Sequence, residues 1–110
     1  MHILEYGPWA WSITRNILAK TSHDSQLTAF ELNKDIFAPK LSRIQDPRLT
    51  IHYDSCEYVQ NYVAPNSVDC IVSTIPLSLL EKDTLESIIA QSYEVLRPGW
   101  IFVTAQYNRS

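Results

Sequence analysis

The strongest constraint on this chain is a change of hydrophobic period that repeats from one end to the other. Short apolar runs of strand length alternate with segments whose apolar residues recur every three to four positions, the spacing that gathers them on one face of a helix. Met1–Tyr6 is a strand-like run, and Ser12–Thr21 follows with Ile13, Ile17 and Leu18 on one helical face. Leu27–Leu32 returns to the extended pattern. Asn33 is then placed to cap a helix from Lys34 to about Ile44, with Asp35 at its positive end, Phe37, Leu41 and Ile44 as its buried stripe and Pro39 as a kink. Asp46-Pro47 breaks it, and Leu49–Tyr53 reads as a third strand. Ser55–Tyr62 fits a short helix, Ala64–Ser67 a turn and Val68–Ser73 a fourth strand ending before Pro76. A helix from Leu80 or Glu81 to Leu96 is expected to bury Leu85, Ile88, Ile89, Ser92, Val95 and Leu96. Arg97-Pro98-Gly99 stops it, and Ile101–Ala105 supplies a fifth strand. Helices alternating with strands on right-handed crossovers imply an α/β fold, a doubly wound Rossmann-like parallel sheet covered on both faces.

In such a sheet, ligands bind at the carboxyl ends of the strands, so the residues just past each strand carry the functional reading. The first strand runs into Glu5-Tyr6-Gly7-Pro8-Trp9-Ala10-Trp11-Ser12, a strand, tight turn and helix start with Trp at the second and third positions of a G-x-G-x-G pattern. Trp100 likewise follows Gly99 where a second glycine normally enters the next strand. Glycine suits such turns because it alone takes positive φ without penalty and admits a ligand close to the backbone. Glu31 ends the second strand 20 residues after Trp11, a distance at which an acid commonly accepts hydrogen bonds from ribose hydroxyls; the alternative is a solvated strand-end carboxylate. Asp54 closes the third strand and is placed either to accept from an adenine amino group or to cap the following turn.

Together these segments resemble the core of a class I S-adenosylmethionine-dependent methyltransferase. Glu5–Ser12 resembles the family's E-x-G-x-G-x-G motif, and Leu27–Asn33 its ribose-binding motif. Val68–Ser73 resembles the fourth-strand motif, and Val95–Trp100 the L-x-P-G-G turn before the fifth strand. The resemblance implies S-adenosyl-L-methionine as cofactor and a binding set of Glu5, Gly7, Trp9, Trp11, Glu31, Leu32, Asp54, Ser55 and Ser73. In it the Gly7 turn holds the methionine part, Glu31 the ribose, Asp54 with Ser55 the adenine, and Leu32 packs on the base. It also implies that 1–110 is one cofactor-binding domain, five strands of a seven-stranded fold whose final strands are absent. A nicotinamide-binding domain is the competitor within the fold. Its G-x-G-x-x-G spacing falls on Gly7, Trp9 and Ser12, a poorer match, and it has no place for the Leu-Arg-Pro-Gly turn.

The methyl acceptor depends on Ser73-Thr74-Ile75-Pro76-Leu77. Enzymes that methylate exocyclic base amines carry Asn or Asp, then Pro, then an aromatic that stacks the flipped base; here Ser73 replaces the Asn and Leu77 the aromatic. The segment, the opening Glu-x-Gly-Pro and the closing Phe102–Tyr107 look more like bacterial phospholipid N-methyltransferases, relatives of the ribosomal RNA adenine dimethylases. That likeness implies direct transfer to a phospholipid head-group amine, with Ser73, Pro76 and Tyr107 as candidate residues at the acceptor, each otherwise a loop or packing residue. The net charge of −3, with its nine basic residues scattered, does not favour nucleic acid. No leader pattern follows Met1, and Cys56 and Cys70 lack metal-ligand spacing, which fits a reducing cytoplasm, with contact at the inner membrane face if the acceptor is a lipid. Cys70 is expected to be a small buried side chain. His2, His23 and His52 stand apart and read as surface residues rather than ligands or bases.

The tryptophans allow three accounts: a binding-dead relative, substitution that blocks the cofactor turn, or glycine codons read as tryptophan. The indoles of Trp9 and Trp11 are expected to fill the space of the methionine moiety. The recoding account is motivated by counts: all three Trp fall on family glycines while the chain holds only two Gly, against about eight at average usage. Sequencing the gene separates them, with UGA expected at positions 9, 11 and 100 if the residues are recoded glycines. UGG at all three would end that account.

Overall fold

A computed structural model describes residues 1–8, 11–99 and 102–104. The chain alternates β1 (His2–Tyr6), α1 (Trp11–Lys20), β2 (Gln26–Phe30), α2 (Lys34–Leu41), β3 (Leu49–His52), a 3-10 segment (Cys56–Asn61), β4 (Cys70–Ser73), α3 (Lys82–Val95) and β5 (Phe102–Thr104). All four strand pairings are parallel, and the strand order is β3-β2-β1-β4-β5. The chain therefore builds outward from β1 to one edge, then returns past it to build the other half. The reversal between β1 and β4 opens a crevice at the strands' carboxyl ends.

Register decides what meets there. His52, Phe30, Tyr6, Ser73 and Thr104 pair across the sheet as one row, so the residues that follow them emerge together along the same rim. Below the rim, strand alternation divides the core between two faces. Ile3 and Leu27 meet Leu18 of α1, whereas Leu4, Tyr6, Phe30 and Ile71 pack with Val59, Ile88 and Val95 on the face covered by α3 and the 3-10 segment. Ser92 donates to the Ile88 carbonyl at 2.6 Å, so the buried Tyr6 hydroxyl donates in turn to Ser92 Oγ at 2.7 Å. Burial pushes the Tyr6 phenol well above its ordinary value, so it remains a neutral donor within the core.

At the opposite end of the sheet the buried Asp69 ties three segments together. Its Oδ2 accepts from the His2 backbone N–H at 2.7 Å and its Oδ1 from Arg97 at 2.8 Å. A bridge between Val68 and Leu96 closes the same corner. Val68 pairs with the chain leaving α3, Arg97 N–H donating to its carbonyl at 2.9 Å, while Asp69 N–H donates to the His2 carbonyl at 2.8 Å; the regular strand begins at Cys70.

Several local expectations are corrected. Asn33 occupies the cap position of α2, but its side chain makes no capping bond; its backbone N–H donates to Glu31 Oε2 at 3.0 Å. The helix ends at Leu41, not Ile44. Ile89 is 38% exposed because α3 buries the face of Ile88, Ser92 and Val95, and position 89 has rotated out of that stripe. His2 is half-buried and bonds Thr28 Oγ1 at 2.8 Å, and His52 stacks on Tyr62, so neither is a free surface residue. Cys56 is the buried thiol, while Cys70 is only half-buried. Among the described residues, no helix is long and apolar enough to cross a membrane.

Candidate cofactor site

A cavity of about 330 Å³ opens over the rim, a volume at the small end of small-molecule sites. Each of the first four strands contributes residues from the first three positions after it: Gly7, then Glu31 and Leu32, then Asp54 and Ser55, then Ile75 and Pro76. The far wall is apolar, made by Phe37 of α2 and by Leu80, Thr84 and Ile88. Thr84 and Ile88 lie four residues apart on one face of α3 and Leu80 just precedes the helix; of the three, the sequence singles out only Ile88, as a core residue.

Gly7 shapes the floor. Its φ is +74°, and a Cβ there would lie 3.0 Å from Ile75 Cγ1. The turn is locked from both sides, since Gly7 N–H donates to the Phe30 carbonyl at 2.9 Å and Thr74 Oγ1 donates to the Gly7 carbonyl at 2.6 Å. A left-handed residue with no side chain here brings backbone to the cavity surface.

Glu31 is the polar centre. It is 5% exposed, its Oε2 accepts from Asn33 N–H, and its Oε1 has no partner among the described residues. A buried oxygen left unsatisfied costs about 1–3 kcal/mol, so a hydroxyl donor entering the cavity would relieve it. Leu32 beside it is 68% exposed, an apolar side chain presented at the cavity edge. Asp54 accepts from Ser55 N–H at 2.7 Å and from the Tyr62 hydroxyl at 2.6 Å. The Tyr62 bond, followed by that of the Ser55 amide, holds its carboxyl below the ordinary value. Ser55 caps the 3-10 segment by accepting from Glu57 N–H at 3.2 Å. Asp54 thus lines the cavity, while the capping role falls to its neighbour Ser55.

Other expected site residues lie elsewhere. Glu5 points to the α1 face, where Oε1 accepts from Thr14 Oγ1 at 2.7 Å; it does not line the cavity because odd-numbered residues of β1 face away from α3. Burial pushes its carboxyl up to about 7, the Thr14 bond opposes this, and the nearby Glu31 adds to it. Ser73 is fully buried, with Oγ accepting from Ile75 N–H at 3.3 Å, so it shapes the turn and does not line the cavity. Pro76 does line it. Trp11 opens α1 with its ring 40% exposed beneath the Arg15 guanidinium, 4.8 Å from the ring centre. Its indole is outside the cavity lining, contrary to the expectation that it fills the site. Trp9, Trp100 and Tyr107 lie outside the described residues. Tyr62, which the sequence did not single out, reaches the site through Asp54.

No family model matches the chain, and no curated protein does. Solved structures do. The CurJ carbon methyltransferase superposes with a TM-score of 0.80 at 16% identity, over 100% of this chain and 30% of its own. An arsenic(III) S-adenosylmethionine methyltransferase from Chlamydomonas reinhardtii gives 0.80 at 15% identity, over 93% and 37%. The DhpI–SAM–HEP complex gives 0.74 at 13%, over 98% and 47%. The fold is the Rossmann-like fold of these methyltransferases, and the chain spans less than half the length of each.

Proposed function

We propose that this chain forms the S-adenosylmethionine-binding core of a methyltransferase. The observation that carries the reading is Glu31, a buried acid on the cavity wall with one oxygen unpartnered among the described residues, located just past the second strand. A ribose diol supplies the donors that this oxygen lacks. The rest of the cavity suits the same ligand: Leu32 and the Leu80–Ile88 wall offer apolar surface to a purine, Asp54 accepts from its amino group, and Gly7 admits the amino-acid part. The bound cofactor would supply an electrophilic sulfonium methyl. The chain's own contribution is to bind and orient, with no covalent nucleophile required.

For the acceptor we favour a neutral amine, specifically a phospholipid head group presented at the cytoplasmic membrane face. Support comes from the Ser73–Leu77 segment, which lacks the Asn and the aromatic of base-amine methyltransferases, and from the absence of a basic stripe. Among the structural relatives one is a carbon methyltransferase and another an arsenic(III) methyltransferase, all at low identity, so the acceptor rests on the sequence alone. Transfer of radiolabelled methyl to phosphatidylethanolamine vesicles, with ribosomal RNA as the competing acceptor, separates this reading from a ribosomal RNA adenine methyltransferase. Label in neither, despite cofactor binding, would favour a non-catalytic binding domain.

Calorimetric titration of the chain with S-adenosylmethionine tests the cofactor reading directly. Saturable binding is expected, and Glu31→Gln should weaken it at least tenfold, about 1.4 kcal/mol, because a charge-assisted acceptor becomes a neutral amide. A melting curve confirms that the variant folds. Equal affinities for the two proteins, or no binding at all, would remove the basis of the proposal.

A further inference from the structure

We infer that Tyr62 is a positioning residue for base recognition: its hydroxyl sets the Asp54 carboxylate so that the cavity selects a purine bearing an exocyclic amino group over one bearing a carbonyl. The inference rests on the cavity taking an adenosine moiety, as proposed above.

Tyr62 is itself held in place. Its ring stacks on His52 with centroids 4.2 Å apart at 28°, and meets Phe30 edge-on at 5.7 Å and 64°. Those two residues occupy one row of the sheet rim, so the phenol is anchored to the ends of β2 and β3. From there it donates to Asp54 Oδ2 at 2.6 Å across a span of eight residues, while Ser55 N–H occupies one lone pair of Oδ1. A carboxylate oxygen has two lone pairs, so each retains one for a ligand. With both oxygens fixed, the group can only accept, and it accepts in a set direction. An amino group satisfies it; a purine carbonyl in the same place meets it lone pair to lone pair.

The bond matters for direction more than for stability, since exposed pairs of this kind contribute little to folding. An untethered Asp54 would lose rotamer freedom on each binding event, which corresponds to about three- to tenfold in affinity for the ligand it contacts. Tyr62→Phe removes the hydroxyl and keeps the stacking, so it isolates this effect.

The test is titration of the wild-type chain, Tyr62→Phe, Asp54→Asn and the double variant with S-adenosylhomocysteine and with S-inosylhomocysteine, its deaminated analogue. The wild type should prefer the adenine form. Tyr62→Phe should cut that preference about three- to tenfold by weakening the adenine form alone, and should add nothing on top of Asp54→Asn. A loss shared equally by both ligands, or one fully additive with Asp54→Asn, would show a merely structural role and overturn the inference while leaving the cofactor reading intact. Failure of the wild type to bind either ligand would overturn both.

Discussion

The stability of this fold is expected to fall by about 3 kcal/mol as the pH rises from below 4.5 to above 7, through Glu5 alone. The carboxyl is fully buried, and burial raises it from an ordinary 4.5 to about 7 in the folded chain. Between those values the native state holds a proton that the unfolded state has released, so each unit of pH increase favours unfolding by about 1.4 kcal/mol. The contribution is complete below 4.5 and has been lost once the pH passes the folded value. Thr14 Oγ1 donates to Oε1, and Oε2 has no partner among the described residues, so nothing there offsets the charge once it forms. Urea melts of wild type and Glu5→Gln at pH 5 and pH 8 measure this. The variant should gain about 2.5 kcal/mol relative to wild type between the two conditions, because every other titrating group cancels in the comparison. A gap that stays constant with pH would show that Glu5 is ionised in the folded protein.

A single methyl at Gly7 should have a comparable effect by a different route. With φ at +74°, any L side chain costs about 1–2 kcal/mol. The new Cβ also meets Ile75 Cγ1 at 3.0 Å, and crowding of this kind adds about 1–3 kcal/mol. Gly7→Ala is therefore expected to destabilise by about 2–5 kcal/mol, and to weaken cofactor binding because the displaced Ile75 lines the same cavity. Gly99 provides the control. Its φ is +86°, yet among the described residues no atom beyond its chain neighbours lies within 4 Å of an added Cβ, so Gly99→Ala carries the backbone cost without that clash. Equal shifts in the urea midpoints of the two variants would refute the steric part of the argument.

Much of this architecture is legible in the residues because it follows from local rules. Ile3 and Leu27 against Leu18 are period-2 and period-3.6 signals meeting, and the sequence contains both. The same holds for Gly7, Glu31, Leu32, Asp54 and Ser55, which line one cavity because each follows a strand of a parallel sheet. The misreadings are orientational. Glu5 belongs to the motif, yet its side chain leaves β1 on the opposite face from the cavity. Trp11 stands at a glycine position, yet the first residue of α1 turns its ring outward onto Arg15. Ile89 sits beside the buried stripe rather than in it. A motif specifies which residues are near a turn, not which way their side chains point.

The sequence by itself determined the α/β class and the order of the elements, and pointed to Gly7, Glu31, Leu32, Asp54 and Ser55 at the rim, because periodicity, turn chemistry and the handedness of crossovers act over a few residues at a time. Only the tertiary structure decided which acids are buried, which oxygens lack partners and which distant groups meet. Glu31 Oε1 has no partner among the described residues, and Glu5 is driven toward neutrality, because strands from separate parts of the chain close over them and exclude water. Tyr62 reaches Asp54 because the rim carries Phe30 and His52 side by side. These are consequences of desolvation and of long-range register, neither of which any local pattern contains.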